Sequence, residues 1–295
     1  MRNLAQRMAL PLEAKINMTK ARIWSWHDHF GGQVYVSFSG GKDRTVLLHL
    51  ARSIYPDIAA AFCNTGLEYP EIVDFVKQTD NVAWIKPSLS FKQVIDKYGY
   101  PVISKEQAQY IHELRTTKSQ KLRDIRTHGN KWGQGKVRKK WLFMLDAPFN
   151  ISNKCCDYLK KQPFSRYEKD SGLRPMLGNT VGESKHRQLL YIKHGCNNFG
   201  AARPVSKPMS FWTDDDIWAY IRLYDVACSR IYDYGYKRTG CMFCMFGVHL
   251  EQSPNKFQLM HKTHPKQFAY CVNKLQLGKV LDYIGVNYYP DLMLF

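Results

Sequence analysis

The chain of 295 residues is 44% hydrophobic, enough to bury the core of one large domain, or of a domain with a small appendage. Lysine and arginine outnumber the acids 43 to 25, and the formal charge of +18 calls for anionic partners, nucleotide or nucleic acid. No run approaches the roughly 20 apolar residues of a membrane helix, and Met8–Leu12 is too short for a signal-peptide core, so no membrane and a cytoplasmic location are expected.

In chain order, Leu12–Phe30 sets Ile16, Ile23, Trp24 and Trp26 among Lys15, Lys20 and Arg22, which predicts a helix lying on a core. Gly31 and Gly32 end it. Val34–Phe38 predicts a buried strand and Thr45–Arg52 a helix; strands at Ile58–Cys63 and Val82–Ile85 then alternate with helices at Tyr69–Gln78 and Phe91–Tyr98. This alternation predicts an α/β fold with a doubly wound, mostly parallel sheet, binding its ligands at the carboxyl ends of the strands. Thr116–Trp141 reads as a basic insertion: Lys118, Lys121, Arg123, Arg126, Lys131, Lys136, Arg138, Lys139 and Lys140 face a single acid, Asp124. Its Trp132 and Trp141 suit base stacking beside a phosphate backbone, and a solvated flexible arm is the plainer alternative. Cys155–Arg203 reads as turn-rich and weakly periodic. Thr213 caps a helix running to Tyr224 with three acids in its first turns, and Asn255–Gly278 reads as helical. His261 and His264 read as surface or helix-end histidines, not metal ligands.

Between the first strand and its helix lies Ser39-Gly40-Gly41-Lys42-Asp43. Paired glycines let main-chain amides approach an anion, and the helix that follows turns its positive end toward it. The spacing of neither a Walker A loop nor a dinucleotide fingerprint is present. Ser37-Phe38-Ser39-Gly40-Gly41-Lys42-Asp43 resembles the PP-loop of the PAPS reductase and ATP-pyrophosphatase group, and Asn64-Thr65-Gly66-Leu67-Glu68-Tyr69-Pro70-Glu71 resembles its second-strand signature. Glu183-Ser184-Lys185-His186-Arg187 is similar to the group's E-S-x-x-R. The resemblance implies an adenine nucleotide, ATP or PAPS/APS, held by Ser39, Gly40, Gly41, Lys42, Asp43, Arg44, Thr45, Thr65, Gly66, Glu183 and Arg187. Lys42 and Arg187 would stabilise phosphate charge. Departures from the pattern are Arg44 for a second serine, Asn64 for an aspartate and Thr180 for an arginine; Arg44 is itself a candidate phosphate clamp.

Eight cysteines in a reducing compartment favour metal binding or catalysis over disulfides. Cys155 and Cys156 are adjacent, and Cys241 and Cys244 form C-x-x-C. Adjacent cysteines chelate one tetrahedral ion poorly, whereas a cubane offers separate irons, so a 4Fe-4S cluster is favoured over zinc. The layout also resembles cluster-containing sulfonucleotide reductases, as do Trp212-Thr213-x-x-Asp216-x-Trp218 and Tyr232-x-x-Gly235-Tyr236-x-Arg238-x-Gly240-Cys241. The expected organisation is a nucleotide-binding domain over 1–250, with the insertion at 116–141 and a small iron-sulfur region at 150–245, followed by a helical extension over 251–295. Cys63 and Cys228 read as small buried hydrophobes. Cys196, in a polar loop, is an exposed candidate for sulfur handling.

The reductases' C-terminal E-C-G-L-H motif, source of their attacking thiolate, is missing here. Cys271 lies at about the expected distance beyond Cys244 but in a partly apolar helical context, which favours core packing over nucleophile. Three readings follow. ATP-dependent sulfur transfer, with a sulfur donor such as a cysteine desulfurase, is preferred. The second is reduction of PAPS or APS to sulfite through Cys271, with thioredoxin as electron donor. The third is a DNA- or RNA-binding module whose cluster is structural.

Overall fold

The computed structural model describes residues 2–290, except for the side chains of Arg2, Asn3 and Glu183. The chain forms two compact units. The first comprises residues 1–64, 69–86 and 163–233; the second comprises 65–68, 87–162 and 234–295.

The first unit is built on a six-stranded sheet of β1 (Val34–Phe38), β2 (Ala59–Cys63), β3 (Val82–Ile85), β4 (Arg174–Leu177), β5 (Asn197–Asn198) and β6 (Val205–Ser206). The spatial order is β3-β2-β1-β4-β6-β5, parallel except for the antiparallel β5–β6 edge. All five residues of β1 are buried, as a central parallel strand covered on both faces requires. Helices Lys42–Arg52 and Pro70–Lys77 return the chain to β2 and β3 on one side of β1; β4 lies on the other. Strand order therefore reverses at β1, the topological position at which open α/β sheets bind their ligands.

Buried ionic contacts tie distant segments of this unit together. Glu168 is 7% exposed; it accepts from the Tyr35 hydroxyl at 2.8 Å and from the Arg203 fork at 2.6 and 2.5 Å. Burial, with the neighbouring carboxylate, pushes the Tyr35 hydroxyl's pKa far up and keeps it a donor. The Lys15 ammonium, 2% exposed, reaches Asp216 at 2.6 Å and the Met8 carbonyl at 2.6 Å, fastening helix Leu12–His29 to helix Asp214–Leu223. Asp216 also completes a capping box with Thr213, so the cap expected from the sequence is present.

Cys155–Arg203 is more ordered than its sequence suggested, holding helix Gln162–Ser171, β4 and helix Lys185–His194. Pro175 disguises β4, although its register partner is Tyr35 at the centre of the sheet. Helix Lys185–His194 leaves Leu189 and Ile192 exposed, so no buried stripe marks it.

In the second unit, helix Phe91–Tyr98 begins at a Ser90 capping box, and a short parallel ladder joins Val102–Ile103 to Met245–Phe246. Helices Lys105–Thr116 and Gln120–His128 and the 3-10 segment Lys139–Asp146 make up the basic region. It is no flexible arm, because Arg126 pairs with Glu113 at 2.5 Å and donates to the Gly135 carbonyl at 2.7 Å. Trp141 is buried edge-on against His249, which removes it from any stacking surface. The expected helical stretch Asn255–Gly278 is broken into Lys256–Thr263, Pro265–Ala269 and Leu277–Tyr283, with a wide turn at Tyr270–Lys274. Pro265 forces His264 off helical geometry (φ −136°, ψ 61°), and Gln276 is left-handed at φ 58°. His264 is thus a helix-end residue, but buried rather than on the surface. Among the described residues, no helix is long and apolar enough to cross a membrane.

Candidate functional site

In the first unit the anion loop leaves the carboxyl end of β1 and enters helix Lys42–Arg52 three residues earlier than the sequence indicated. Lys42, Asp43 and Arg44 therefore occupy the helix's first turn, where amides without intrahelical partners gather. Gly40 sits at φ +68°, and an added Cβ there would lie 2.9 Å from Val76 Cγ2 and 3.0 Å from Ile72 Cγ2. Glycine is required on both backbone and steric grounds. The Gly41 carbonyl accepts from the Arg44 and Thr45 amides at 3.0 Å each and from the Thr45 hydroxyl at 3.2 Å, which closes the turn.

Lys42 is 3% exposed; its ammonium is ion-paired with Asp214 and lies 3.5 Å from Asp43, while its amide donates to the Tyr232 hydroxyl at 2.7 Å. Arg44 is held toward Ser39 Oγ at 3.2 Å and Asn179 Oδ1 at 3.5 Å, beside the loop it was expected to serve. Gly178 packs on the same turn: a Cβ there would meet the Asp43 carbonyl at 3.0 Å. Asp214, Tyr232, Asn179 and Gly178 escaped the sequence reading. The only signal lay in the run of acids after Thr213, which marks a helix start and says nothing of Lys42.

Arg187 stands in the first turn of helix Lys185–His194, donating its amide to the Ser184 cap at 3.3 Å. Burial lowers the Lys207 pKa, with Arg187 as a second cause, so a pair of cations gathers there. The side chain of Glu183 lies outside the described residues. Cys196 is buried at 7% exposure with its sulfur 3.9 Å from the Pro208 carbonyl, and burial raises its pKa. That corrects the exposed-thiol expectation: Cys196 leads directly into edge strand β5, which packs it inward.

In the second unit Thr65 and Gly66 open a tight turn in which the Glu68 carboxylate accepts from the Thr65 amide at 2.9 Å and hydroxyl at 2.8 Å. Gly66, at φ +75°, lines an open pocket of about 300 Å³ with Met242, Phe243, Lys266, Gln267 and Tyr270.

Beside Met242 and Phe243, the four singled-out cysteines line one apolar pocket: Cys155 and Cys156 from one segment, Cys241 and Cys244 from another, joined by Leu67, Phe91 and Lys160. The Sγ atoms of Cys155 and Cys156 are 4.0 Å apart. Their mutual hydrogen bond raises the Cys155 pKa and lowers that of Cys156, which Lys105 and Lys160 lower further. Burial raises Cys241, with Lys160 opposing. A lining of thiols without imidazole or carboxylate is a donor set that suits an iron-sulfur cluster as well as a four-cysteine zinc site. The space between the side chains is about 20 Å³, room for roughly one water, so a cluster would need the thiols to turn outward. Accordingly, among the described residues no three His, Cys, Asp or Glu side chains are gathered to hold a metal ion. Lys105 and Lys160, the cations facing these thiols, were also missed.

Cys271 lies elsewhere in the unit and is 0% exposed, its sulfur 3.3 Å from the Phe268 carbonyl. Burial pushes its pKa up to about 12. At pH 8 only about one such thiol in ten thousand is ionised, so pulse alkylation of the native protein followed by peptide mass spectrometry should leave Cys271 unmodified. Labelling as fast as in denaturant would show that the site opens.

The model of the phosphoadenosine phosphosulfate reductase domain family matches residues 33–135 and 103–246. An uncharacterized protein of Methanocaldococcus jannaschii is 25% identical over 82% of the chain, which spans only 47% of that relative. Adenosine 5'-phosphosulfate reductases of Staphylococcus haemolyticus and Geobacillus thermodenitrificans are each 22% identical, over 75% and 77% of the chain and 73% and 80% of theirs. Among solved structures, a PAPS reductase from Candida auris aligns at TM-score 0.44 and 15% identity, covering 79% of this chain and 96% of that one. The U34-tRNA thiolase NcsA from Methanococcus maripaludis, solved with its [4Fe-4S] cluster, aligns at TM-score 0.41 and 13% identity, covering 92% and 80%. With the family model spanning most of the chain, the loop after β1 included, the protein belongs to the phosphoadenosine phosphosulfate reductase domain family.

Proposed function

We propose that the chain is a cytoplasmic PP-loop enzyme that binds ATP and uses it to activate an acceptor oxygen, which sulfur then replaces on the acceptor carbon. The observation that carries this choice is the burial of Cys271, because sulfonucleotide reduction needs a thiolate with free access to a sulfate sulfur. ATP-dependent transfer needs no such residue.

The chemistry assigned to the site is redox-neutral. An acceptor oxygen attacks the α-phosphorus, the bond to pyrophosphate breaks, and sulfide then displaces AMP from the activated carbon, taking the acceptor oxygen with it. The loop amides and the positive end of helix Lys42–Arg52 hold the phosphates. Lys42, freed from Asp214, neutralises the charge that gathers on departing pyrophosphate. Cys155, Cys156, Cys241 and Cys244 would hold a [4Fe-4S] cluster, one thiolate to each iron, which when bound would supply structural and electrostatic support while sulfide comes from the separate donor. A second reading, reduction of PAPS or APS, is favoured by the reductase relatives.

Anaerobic incubation with α-labelled ATP, sulfide and bulk RNA, with a parallel arm of labelled PAPS and APS, separates the two. Labelled AMP with pyrophosphate is expected, reduced about 10²–10³-fold in Lys42→Ala. Sulfite from PAPS or APS without ATP turnover would overturn the proposal in favour of the reductase.

A further inference from the structure

The basic region of the second unit holds an arrangement that the reaction above does not use. Trp132, one of the largest apolar side chains of the chain, is 70% exposed. Its loop is nonetheless built. Asn130 Oδ1 accepts from the Trp132 and Gln134 amides at 3.0 Å each, the Asn130 amide donates to the Gln134 carbonyl at 2.7 Å, and the Gly133 amide to the Asn130 carbonyl at 2.7 Å. Behind it the Arg126 guanidinium, anchored on Glu113, holds the Gly135 carbonyl, and the Val137 amide donates to the Arg126 carbonyl at 2.9 Å. Gln107 clamps the far side through the Arg138 amide at 2.8 Å and the Lys136 carbonyl at 3.3 Å. A large indole is therefore held mostly in water on a hydrogen-bonded scaffold.

The surroundings name the chemistry. The Lys131 ammonium lies 4.3 Å from the Trp132 ring centre. Of the nine cations between Lys118 and Lys140, Arg126 alone is engaged in the scaffold; the other eight are exposed, against the single acid Asp124. An immobilised aromatic face among closely spaced cations is what a single strand requires: a base to stack, and phosphates on either side. Duplex offers no open base face, and a lipid surface would favour a helix with an exposed apolar face, whereas helix Gln120–His128 buries no residue and every residue it fully exposes is polar or charged.

We propose that residues 118–140 form a single-stranded nucleic-acid binding surface in which Trp132 stacks on an unpaired base and the surrounding lysines and arginines contact its phosphates. The surface deepens the proposed function by making a polynucleotide the carrier of the sulfur acceptor, and it rests on that reading only for this role, since none of its residues belongs to the anion loop or the thiol set.

The test is fluorescence anisotropy of the full protein with labelled 20-mer RNA and DNA single strands and the matching duplexes, without ATP. Wild-type protein should bind single strands more tightly than duplex, with log affinity falling by about 0.7 per contacted phosphate per unit of log salt. Trp132→Ala should weaken single-strand binding about 5- to 150-fold, the equivalent of 1–3 kcal/mol of stacking per base, with unchanged thermal melting. Lys139→Glu should reduce the salt slope while leaving Trp132 fluorescence quenching by bound strand in place. The RNA and DNA arms decide between the two sources of the strand. Equal affinity of Trp132→Ala, duplex binding at least as tight, or preferential binding to phosphatidylserine vesicles would each overturn the inference. Strand binding without AMP formation would leave it standing and count against the reaction alone.

Discussion

Replacing Gly40 by alanine is expected to weaken ATP binding by roughly 5- to 150-fold, the counterpart of about 1–3 kcal/mol of displaced loop. Two penalties add. The backbone at φ +68° is one that an L-residue adopts at a cost of about 1 kcal/mol. The new methyl would also stand 2.9 Å from Val76 Cγ2, 3.0 Å from Ile72 Cγ2 and 3.3 Å from the Ile72 carbonyl. Helix Pro70–Lys77 buries both Ile72 and Val76, so the loop has to give way rather than the helix. A shift of a few tenths of an ångström displaces the loop backbone and the start of helix Lys42–Arg52 from the phosphates they would face. Gly172→Ala provides the control, since its φ is +74° with no atom within 4 Å. It carries the backbone penalty without the overlap and should leave nucleotide affinity intact. Calorimetric titration with ATP beside thermal melting separates the effects; unchanged affinity in Gly40→Ala would mean that this loop does not hold the phosphates.

Features that are local in sequence were legible in it. The glycine loop, the first three strands and the capped helix after Thr213 each rest on a few contiguous residues whose chemistry points one way. What the sequence concealed depends on distance. Lys42 and Asp214 are 172 positions apart, and nothing near either residue announces the pair. β4 lies beside β1 at the centre of the sheet, yet Arg-Pro-Met-Leu has neither alternation nor β-branching. Cys196 and Trp141 were misjudged because exposure was inferred from polar neighbours, while burial is decided by what packs from elsewhere: the Pro208 segment over one, His249 over the other. The thiol pairs were legible as a set, but the lysines facing them come from Lys105 and Lys160, one of them fifty residues upstream.

The largest change is expected when the thiol pocket loses one donor. Anaerobically purified Cys241→Ser should retain little or no iron and lack the brown thiolate-to-iron colour that the proposal requires of the parent, since a [4Fe-4S] cluster would use all four thiolates and a serine hydroxyl stays protonated near neutral pH. Cys155→Ser, on the other segment of the pocket, should lose iron in the same way, because the lining draws equally on both pairs. Cys271→Ser should keep its iron: that sulfur is committed to the Phe268 carbonyl and lines no part of the pocket. Lys160→Ala occupies an intermediate place. It removes a cation acting on both Cys156 and Cys241 without removing a donor, and an orienting partner of that kind is worth about 10–100-fold in metal affinity. Iron determination across the four variants, with circular dichroism to show that each is folded, therefore grades donor, positioning residue and bystander. Equal iron in Cys241→Ser and the parent would remove the cluster from the proposed chemistry and leave the pocket as packed thiols.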